Sequence, residues 1–303
     1  MHRKNGTFQE DTNVLVTYRE LAPARALRGH VRSYFSFTPG PSEWRGPRPV
    51  IRDVRIARDE SFCSPVFADG HASLVMDLGA TCHVGGGWTR GTTVGTRAIG
   101  ALRRVGGEAG ARSAMIGVYL EPGACSFFLG MPAVELTDCV VPLDQVCGVR
   151  AEDLVELDER SRVDRLEGAL LDRVFHAPPS HASVDVSGLA RWVREAPASM
   201  TVSRLASAAG VSRRHLTRVF REVVGVSPKR YCRLARFRAG LAYAGAGNRV
   251  QWARVAAELG YVDQSHMIAE FREFSSLTPE ALATHDWFHP FILDARDCQH
   301  AAE

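Results

Sequence analysis

The sequence of 303 residues predicts an α+β protein with a β-rich N-terminal half and an all-α, basic C-terminal domain. Three observations support this fold class. The first half carries short apolar runs separated by glycines, which is typical of a small β barrel or sandwich. Residues 186–283 carry apolar side chains at helical spacing, and one helical stretch within them occurs twice. At this length we expect two domains, each with its own core.

The charge distribution separates the two halves. Residues 186–283 contain fifteen Arg and Lys against seven Asp and Glu, a net charge of +8. The rest of the chain has 22 basic against 27 acidic residues, a net charge of −5. A basic domain beside an acidic one indicates a polyanionic partner for the basic domain.

The composition is that of a soluble globular protein, with 45% hydrophobic and 23% charged residues. No run of about 18 apolar residues predicts a membrane span, and the polar N-terminus does not resemble a secretory signal. We therefore expect a cytoplasmic protein without a membrane partner. Its seven cysteines show neither a C-x-x-C pair nor a zinc-ribbon spacing, so we expect buried or free thiols and no disulfide framework, with a redox or metal sensor as the alternative. We expect no metal site and no cofactor.

The N-terminal half predicts mainly strands. The apolar runs are residues 14–18, 54–57, 73–78, 92–94, 98–102 and 114–120. Residues 23–37 have mixed spacing, which leaves the boundary between helix and strand open. Residues 40–49 predict a loop, and residues 85–87, three glycines, predict a turn or bulge rather than a phosphate-binding loop. Helices are predicted at residues 124–129 and 154–175, and a Pro-rich linker follows at residues 176–185.

One group of polar residues in this half could line a pocket for a small effector. The candidates for effector binding are Asp69, His71, Asp77 and Trp88. The alternative interpretation is that these are ordinary turn and strand residues. The spacing of His71 and His83 does not match the H-x-H pair that is usual for metal sites in β barrels.

The first copy of the repeated stretch predicts two helices joined by a tight turn. Gly210 supplies a left-handed turn, and Ser212 caps a helix over residues 212–224. Its apolar residues at i, i+3, i+4 and i+7 predict an inward face made of Leu216, Val219, Phe220 and Val223. The outward candidates for DNA contact are Arg213, Arg214, Thr217, Arg218 and Arg221. An α-helix fits the major groove, where Arg can bind guanine and a Thr methyl can touch thymine.

The second copy is less basic than the first. Residues 228–244 predict a connecting helix about 25 Å long, which could hold two reading helices about one DNA turn apart. Asp263 caps the next helix, residues 263–274, whose inward face is predicted to be Met267, Phe271 and Phe274. The outward candidates for DNA contact are Gln264, Ser265, Ile268, Ala269 and Arg272.

These motifs resemble the AraC/XylS family of transcription regulators. The pattern is L-A-x3-G-V-S-x3-L-x-R-x-F-x3-V-G-x-S-P-x2-Y, followed by V-A-x3-G-Y-x-D-Q-S-H-x4-F-x6-T-P. The resemblance implies seven helices in two helix-turn-helix subdomains that enter the major groove, with Arg214, Thr217 and Arg218 at base-reading positions. Two positions depart from the family pattern. Ala269 stands where arginine is usual, so the second unit lacks one side chain with which the family contacts bases. Ser276 stands where glycine is usual.

The N-terminal half resembles a domain of some actinobacterial members of this family. The matching pieces include YRELAPARALRGHVRSYFSF and ADGHASLVMDLG, with Ala68 in place of a usual proline. This resemblance implies a cupin-like sensing or dimerisation module. The expected organisation is a sensing or dimerisation domain at residues 1–175, a linker at 176–185, the DNA-binding domain at 186–283 and a tail at 284–303.

We therefore expect a transcription regulator that binds double-stranded promoter or operator DNA and is not an enzyme. RNA polymerase, a small effector and a second copy of the chain are the further partners that such a regulator would have. Two alternatives remain. One is a DNA-repair alkyl-transfer protein with the same DNA-binding domain, which needs a reactive zinc-bound cysteine. The other is an architectural DNA binder without an effector.

Overall fold

A computed structural model describes parts of the β-rich N-terminal half and most of the helical C-terminal domain. The described residues are 14–39, 50–58, 63–65, 73–77, 82–84, 87–89, 92–93, 101–104, 115–137, 149–150, 152–176, 184–244, 250–275 and 277–283. Antiparallel strands come first and helices follow, so the α+β prediction is confirmed. Residues 40–49 and most of the predicted linker, residues 177–183, lie outside the described residues.

The strands form two antiparallel sheets. They are β1 Val14–Leu21, β2 Val31–Pro39, β3 Val50–Arg58, β4 Cys63–Pro65, β5 Ser73–Asp77, β6 Cys82–Val84, β7 Gly87–Thr89, β8 Thr92–Thr93, β9 Ala101–Arg104 and β10 Met115–Leu120. One sheet has the order β3-β1-β2-β10-β5-β8 and the other has the order β4-β9-β6-β7. The strand β10 therefore lies between β2 and β5, although it comes last in sequence.

Most strand predictions are confirmed to within a few residues, but the short strands β4, β6 and β7 were not predicted. The mixed segment forms a 3₁₀ turn, Arg25–Leu27, and then β2. The run predicted at residues 98–102 overlaps β9, Ala101–Arg104, while residues 98–100 lie outside the described residues. Gly87 begins β7 and pairs with Val84 of β6, so the glycines stand beside a hairpin, while Gly85 and Gly86 lie outside the described residues.

The single helix predicted at residues 154–175 is wrong in its extent. The chain forms α2, Glu152–Val155, and then a separate helix α3, Glu159–His176, while the predicted helix Ala124–Leu129 is confirmed as α1. The break has a local cause. The Asp158 carboxylate accepts the Ser161 amide at 2.8 Å, and the Arg162 side chain donates to the carbonyl oxygens of Leu154 and Val155 at 2.9 and 2.8 Å. These bonds cap the start of α3 and satisfy the last carbonyls of α2.

Helix α3 packs against the larger sheet and closes the N-terminal core. Buried residues of the sheet meet the apolar stripe of α3, and the members include Leu21, Tyr34, Leu74, Ile116, Val118, Val163, Leu166 and Leu170. Polar contacts fix the helix on the sheet. Arg19 of β1, only 3% exposed, donates to Glu159 at 2.9 Å, and the Ala24 amide donates to Glu167 at 2.8 Å.

The C-terminal domain contains seven helices in the described residues. They are α4 Val186–Glu195, α5 Val202–Ala208, α6 Arg213–Val224, α7 Pro228–Ala244, α8 Trp252–Glu258, α9 Gln264–Ser275 and α10 Pro279–Ala283. Two separate cores hold them together, one around Leu216 and Phe220 and one around Phe237 and Phe271. Helix α7 contributes to both, because Tyr231 lies in the first core and Leu241 lies in the second.

Among the helices of the described residues, none is both long and apolar enough to cross a lipid bilayer.

Candidate nucleic-acid interface

Two similar turns present helices α6 and α9 to solvent. In the first unit, Ser212 accepts the His215 amide at 3.2 Å and so caps α6, as predicted. In the second unit, the Asp263 carboxylate accepts the His266 amide at 2.7 Å at the start of α9. The turns before them use Gly210 at φ +65° and its counterpart at the end of α8, Gly260 at φ +72°. Each unit therefore has the helix-turn-helix form that the repeated sequence predicts.

The inward face of α6 holds the helix firmly in the first core. Leu216, Phe220 and Val224 are buried, and the Phe220 ring packs edge-on against Tyr231 with centroids 5.4 Å apart. Val219 and Val223 are only partly buried against this core, so the predicted inward stripe is shallower at these two positions. A helix fixed along this side can present only its opposite side to a partner.

The outward face of α6 carries the predicted arginines. Arg213, Arg214, Arg218 and Arg221 are exposed, and Thr217 is partly exposed. The Thr217 hydroxyl donates to the Arg213 carbonyl oxygen at 2.8 Å, which leaves its methyl as the group that it can offer to a base. We call the face formed by these five residues the first reading face, and α6 the first reading helix.

One of these arginines has an acidic neighbour on the same helix. Arg218 donates to Glu222 one turn later at 3.0 Å, with the two side chains 60% and 45% exposed. An exposed i,i+4 pair of this kind contributes only a few tenths of a kcal/mol, so a phosphate or a guanine edge can replace Glu222 as the partner. The Arg218 guanidinium therefore stays exposed to solvent, where it can bind another partner.

Helix α9 presents a second and less basic face. Its inward residues Met267, Phe271 and Phe274 are buried, as predicted. Its outward residues are Gln264, Ser265, Ala269 and Arg272, which are exposed, and Ile268, which is partly exposed. We call this set the second reading face, and α9 the second reading helix. Val262 precedes the helix, is 87% exposed and adds an apolar group that the sequence patterns did not single out.

A buried ion-pair network joins α9 to the connecting helix α7. Glu270, 1% exposed, accepts from Arg233 at 2.7 Å and lies 3.5 Å from Arg236. Arg233 also binds Glu273, and this hydrogen bond raises the pKa of the guanidinium and lowers the pKa of the Glu273 carboxyl. The Arg236 guanidinium stacks 5.1 Å from the centre of the Tyr261 ring.

Sequence reasoning missed this network, although a signal for it exists. Two arginines stand three residues apart on α7, and two glutamates stand three residues apart on α9. Equal spacing of opposite charges on two amphipathic helices is a pattern that predicts contact between the two faces. The network fixes the orientation of α9, which carries the second reading face, relative to α7.

The predicted effector pocket is described only in part. Asp69 and His71 lie outside the described residues. Asp77 ends β5 in the larger sheet, opposite Met115, whereas Trp88 lies in β7 of the smaller sheet, opposite His83. The four candidates therefore remain a prediction.

Two cysteines bear on the alkyl-transfer alternative. Cys125 and Cys232 are buried free thiols, and burial raises their pKa to about 12 and about 11. A reactive cysteine needs its thiolate, so neither residue suits that chemistry. Among the described residues, no group of His, Cys, Asp and Glu is arranged to hold a metal ion.

Two regions of the chain match known protein families. Residues 205–285 match a family described as a helix-turn-helix domain, and residues 19–142 match a family described as a domain of unknown function. No curated protein matches the chain.

Among solved structures, the chain is similar to ToxT from Vibrio cholerae. ToxT of strain SCE256 with a bound unsaturated fatty acid is 9% identical, with 93% of this chain and 97% of ToxT covered and a TM-score of 0.38. ToxT of strain O395 is 7% identical over 74% of this chain and 92% of ToxT, with a TM-score of 0.39. Such low TM-scores leave the assignment to the sequence motifs and the family matches.

Four observations indicate the same family. They are the paired turns, the two cores that share α7, the basic first reading face and the match to a helix-turn-helix family. The motif over residues 205–279 and the match to the N-terminal family agree with it. Residues 205–285 therefore belong to a helix-turn-helix domain family, and the motifs and the two matched regions of the chain are similar to those of the AraC/XylS transcription regulators.

Proposed function

We propose that this regulator reads its operator by placing both reading helices, residues 212–224 and 263–274, in successive major grooves. The observation that carries the proposal is the first reading face, where four exposed arginines and one threonine lie on a helix whose other side is locked into a core. Arginines on such a face bind phosphates without regard to sequence and bind guanine edges with sequence preference. Affinity and specificity would thus come from the same helix.

The second reading face suits a different kind of readout. Its exposed groups are an amide, a hydroxyl, small apolar side chains and one guanidinium, Arg272. Gln264 can bind adenine through two hydrogen bonds, and Ile268 can contact a thymine methyl. We infer that this helix discriminates among bases and contributes less to phosphate binding than the first one.

The test is selection of binding duplexes from a random pool by the full chain, followed by footprinting. We expect an enriched sequence with two protected major-groove tracts about 10 base pairs apart. Recovery of a single tract would show that only one helix reads DNA. Recovery of no enriched sequence would contradict the proposal. The enriched DNA is called the selected duplex below.

Arg218→Ala is expected to weaken binding to the selected duplex and to relax preference at one base pair by about 1–3 kcal/mol. The physical reason is the loss of a bidentate contact to guanine. Gel shifts across single-base variants of the duplex measure both effects. Arg160→Ala is the matched control, because Arg160 forms a similar exposed pair with Asp164, at 3.6 Å, in the N-terminal domain. An unchanged base profile for Arg218→Ala would refute the role of this residue.

Ala269→Arg is expected to strengthen binding to any duplex, since it adds a phosphate-binding group to the second reading face. The slope of log affinity against log salt should steepen by about 0.9 for one added contact. Titrations at several salt concentrations measure it, with Ala26→Arg in the exposed 3₁₀ turn of the N-terminal domain as the control for net charge. Equal slopes for the two variants would show that α9 stays away from the DNA backbone.

The N-terminal domain is proposed to be the sensing or dimerisation part of the regulator, as the resemblance of its sequence implies. A sensing role would take a small effector, a dimerisation role would take a second copy of the chain, and RNA polymerase is a further candidate partner of the regulator. Sedimentation of the full chain with and without the selected duplex would establish the stoichiometry. A monomer in both conditions would contradict the dimerisation role.

A further inference from the structure

The first reading helix is attached to the N-terminal domain at its C-terminal end. Thr137 donates a 2.7 Å hydrogen bond to the carbonyl oxygen of Gly225, which caps α6. The Ser126 hydroxyl of α1 lies 3.0 Å from the Gly123 carbonyl oxygen and 3.4 Å from the Val223 carbonyl oxygen, so it can donate to either. We call residues 121–137, which include α1 and the 3₁₀ turn Ala133–Leu136, the docking segment. The last turn of α6 therefore has hydrogen-bond partners outside its own domain.

The approach of the two domains at this point is close. Gly225 has φ +91°, and a Cβ atom placed on it would lie 2.7 Å from Thr137 Oγ1 and 2.9 Å from the Ala133 carbonyl oxygen. A Cβ on Gly123, across the same contact, would lie 2.9 Å from Val223 Cγ1. At Gly225 the backbone of Ala133 leaves no room for a Cβ, and the positive φ of both glycines favours glycine over any other residue.

A second attachment ties the docking segment to the other helices of the first unit. Arg194 of α4 donates to Glu121 at 2.8 Å and to the Tyr231 hydroxyl, at the start of α7, at 3.2 Å. Ser187, also on α4, donates to the Pro122 carbonyl oxygen at 2.8 Å. Arg194 is 26% exposed and Glu121 is 22% exposed, so this ion pair is largely shielded from water. One short segment thus contacts α4 and α6 and, through Arg194, is linked to α7.

We propose that the docking segment positions the first reading helix, so that DNA binding and the state of the N-terminal domain are coupled through it. Thr137 and Arg194 are the positioning residues. This inference rests on the proposed function of α6. The arginines of the first reading face stay exposed in the docked arrangement, so docking and DNA binding are compatible. Coupling between two binding equilibria is reciprocal, so DNA on α6 must in turn stabilise the docking segment.

The reciprocal effect gives a test that needs no knowledge of an effector. Hydrogen–deuterium exchange of the full chain is measured with and without the selected duplex. In the wild-type chain we expect amides in residues 121–137 to exchange about fivefold more slowly, or slower still, when the duplex is bound. The segment contacts Val223 and Gly225, and at 100° per residue Val223 lies on the side of α6 opposite Arg214 and Arg218, so we expect little direct shielding of the segment by DNA.

Two matched pairs of variants identify the contacts that carry the coupling. Thr137→Val removes the hydroxyl donor and should abolish the slower exchange, while Thr137→Ser keeps the donor and should retain it. Glu121→Gln should reduce the effect because it removes the charge that faces Arg194, while Glu135→Gln alters an exposed residue of the same segment and should not. Thr137→Val and Glu121→Gln should also bind the selected duplex about fivefold more weakly, since the helix is no longer held in place.

The outcomes separate this inference from the proposed function. If the wild-type chain fails to bind the duplex with sequence preference, the proposed function is wrong. If it binds but exchange in residues 121–137 stays the same, the docking proposal is overturned while the DNA-binding role of α6 stands. Equal behaviour of Thr137→Val and Thr137→Ser would also overturn it.

Discussion

Glu270→Ala is expected to lower the free energy of unfolding of the second helical unit by about 3 kcal/mol. Removing one partner of a buried ion pair costs about 3–5 kcal/mol because the opposite charge stays behind without compensation. Here Arg233 keeps Glu273 as a partner, and Arg233 and Arg236 are 26% and 17% exposed, so both can regain some water. The lower end of the range is therefore expected. Urea denaturation, followed by tryptophan fluorescence because Trp252 lies in this core, measures it.

A control for this prediction lies one helical turn away. Glu273 binds the same guanidinium of Arg233 but is 50% exposed. Glu273→Ala removes the same charge from the same helix, yet solvent screens the loss and the expected cost is below about 1 kcal/mol. Equal destabilisation by the two substitutions would show that burial of Glu270 contributes nothing to the strength of the network.

The same variant should separate the two reading helices in function. Glu270→Ala loosens α9 on α7 but leaves the first core, with Leu216 and Phe220, intact. Footprints on the selected duplex should keep the tract bound by α6 and lose the tract bound by α9. Loss of both tracts together would mean that the two units fold as one.

The sequence predicted what local rules determine. The caps at Ser212 and Asp263 and the turn at Gly210 depend on residues within a few positions of each other, and the structure confirms all three. Periodicity likewise predicted which side of α6 and α9 is buried. The helix-turn-helix fold and the residues of its candidate interface therefore follow from patterns that span only a few turns of chain.

Contacts between segments far apart in sequence could not be predicted from such local patterns. The order of the larger sheet places β10 between β2 and β5, and no local pattern in an apolar strand names its neighbours. The hydrogen bond from Thr137 to Gly225 joins a side-chain hydroxyl to a backbone carbonyl oxygen 88 residues away. The break between α2 and α3 was missed because apolar periodicity continues through it, whereas the Asp158 cap that causes it is a single hydrogen-bonding residue.

The two reading helices have the same architecture but different charge. The first face has four exposed arginines, and the second has only Arg272 among its exposed residues. Phosphate binding scales with the number of cationic contacts, so the first helix should dominate the salt dependence of binding. This difference permits a division of roles in which α6 anchors the protein and α9 selects the sequence beside it.

The triple variant Arg214→Ala, Arg218→Ala, Arg221→Ala is expected to lose at least about 3 kcal/mol of binding free energy, a hundredfold or more in affinity. Each arginine that contacts a base or a phosphate contributes about 1–3 kcal/mol or about one unit of salt slope. The three residues lie at i, i+4 and i+7 and so share one side of α6. The slope of log affinity against log salt should fall by roughly 2.7 for three lost phosphate contacts, and less if some of the three contact bases.

The matched control removes the same charge from the N-terminal domain. Arg25, Arg28 and Arg165 are exposed there, and their replacement by alanine also takes the formal net charge from +3 to 0. Because long-range attraction to DNA is screened beyond about 8 Å at physiological salt, this control should lose little affinity and little slope. If both triple variants lose the same slope, the arginines of α6 act only through net charge and α6 does not lie against the phosphates. If only the α6 variant loses it, the remaining slope measures what Arg272 and the rest of the domain contribute.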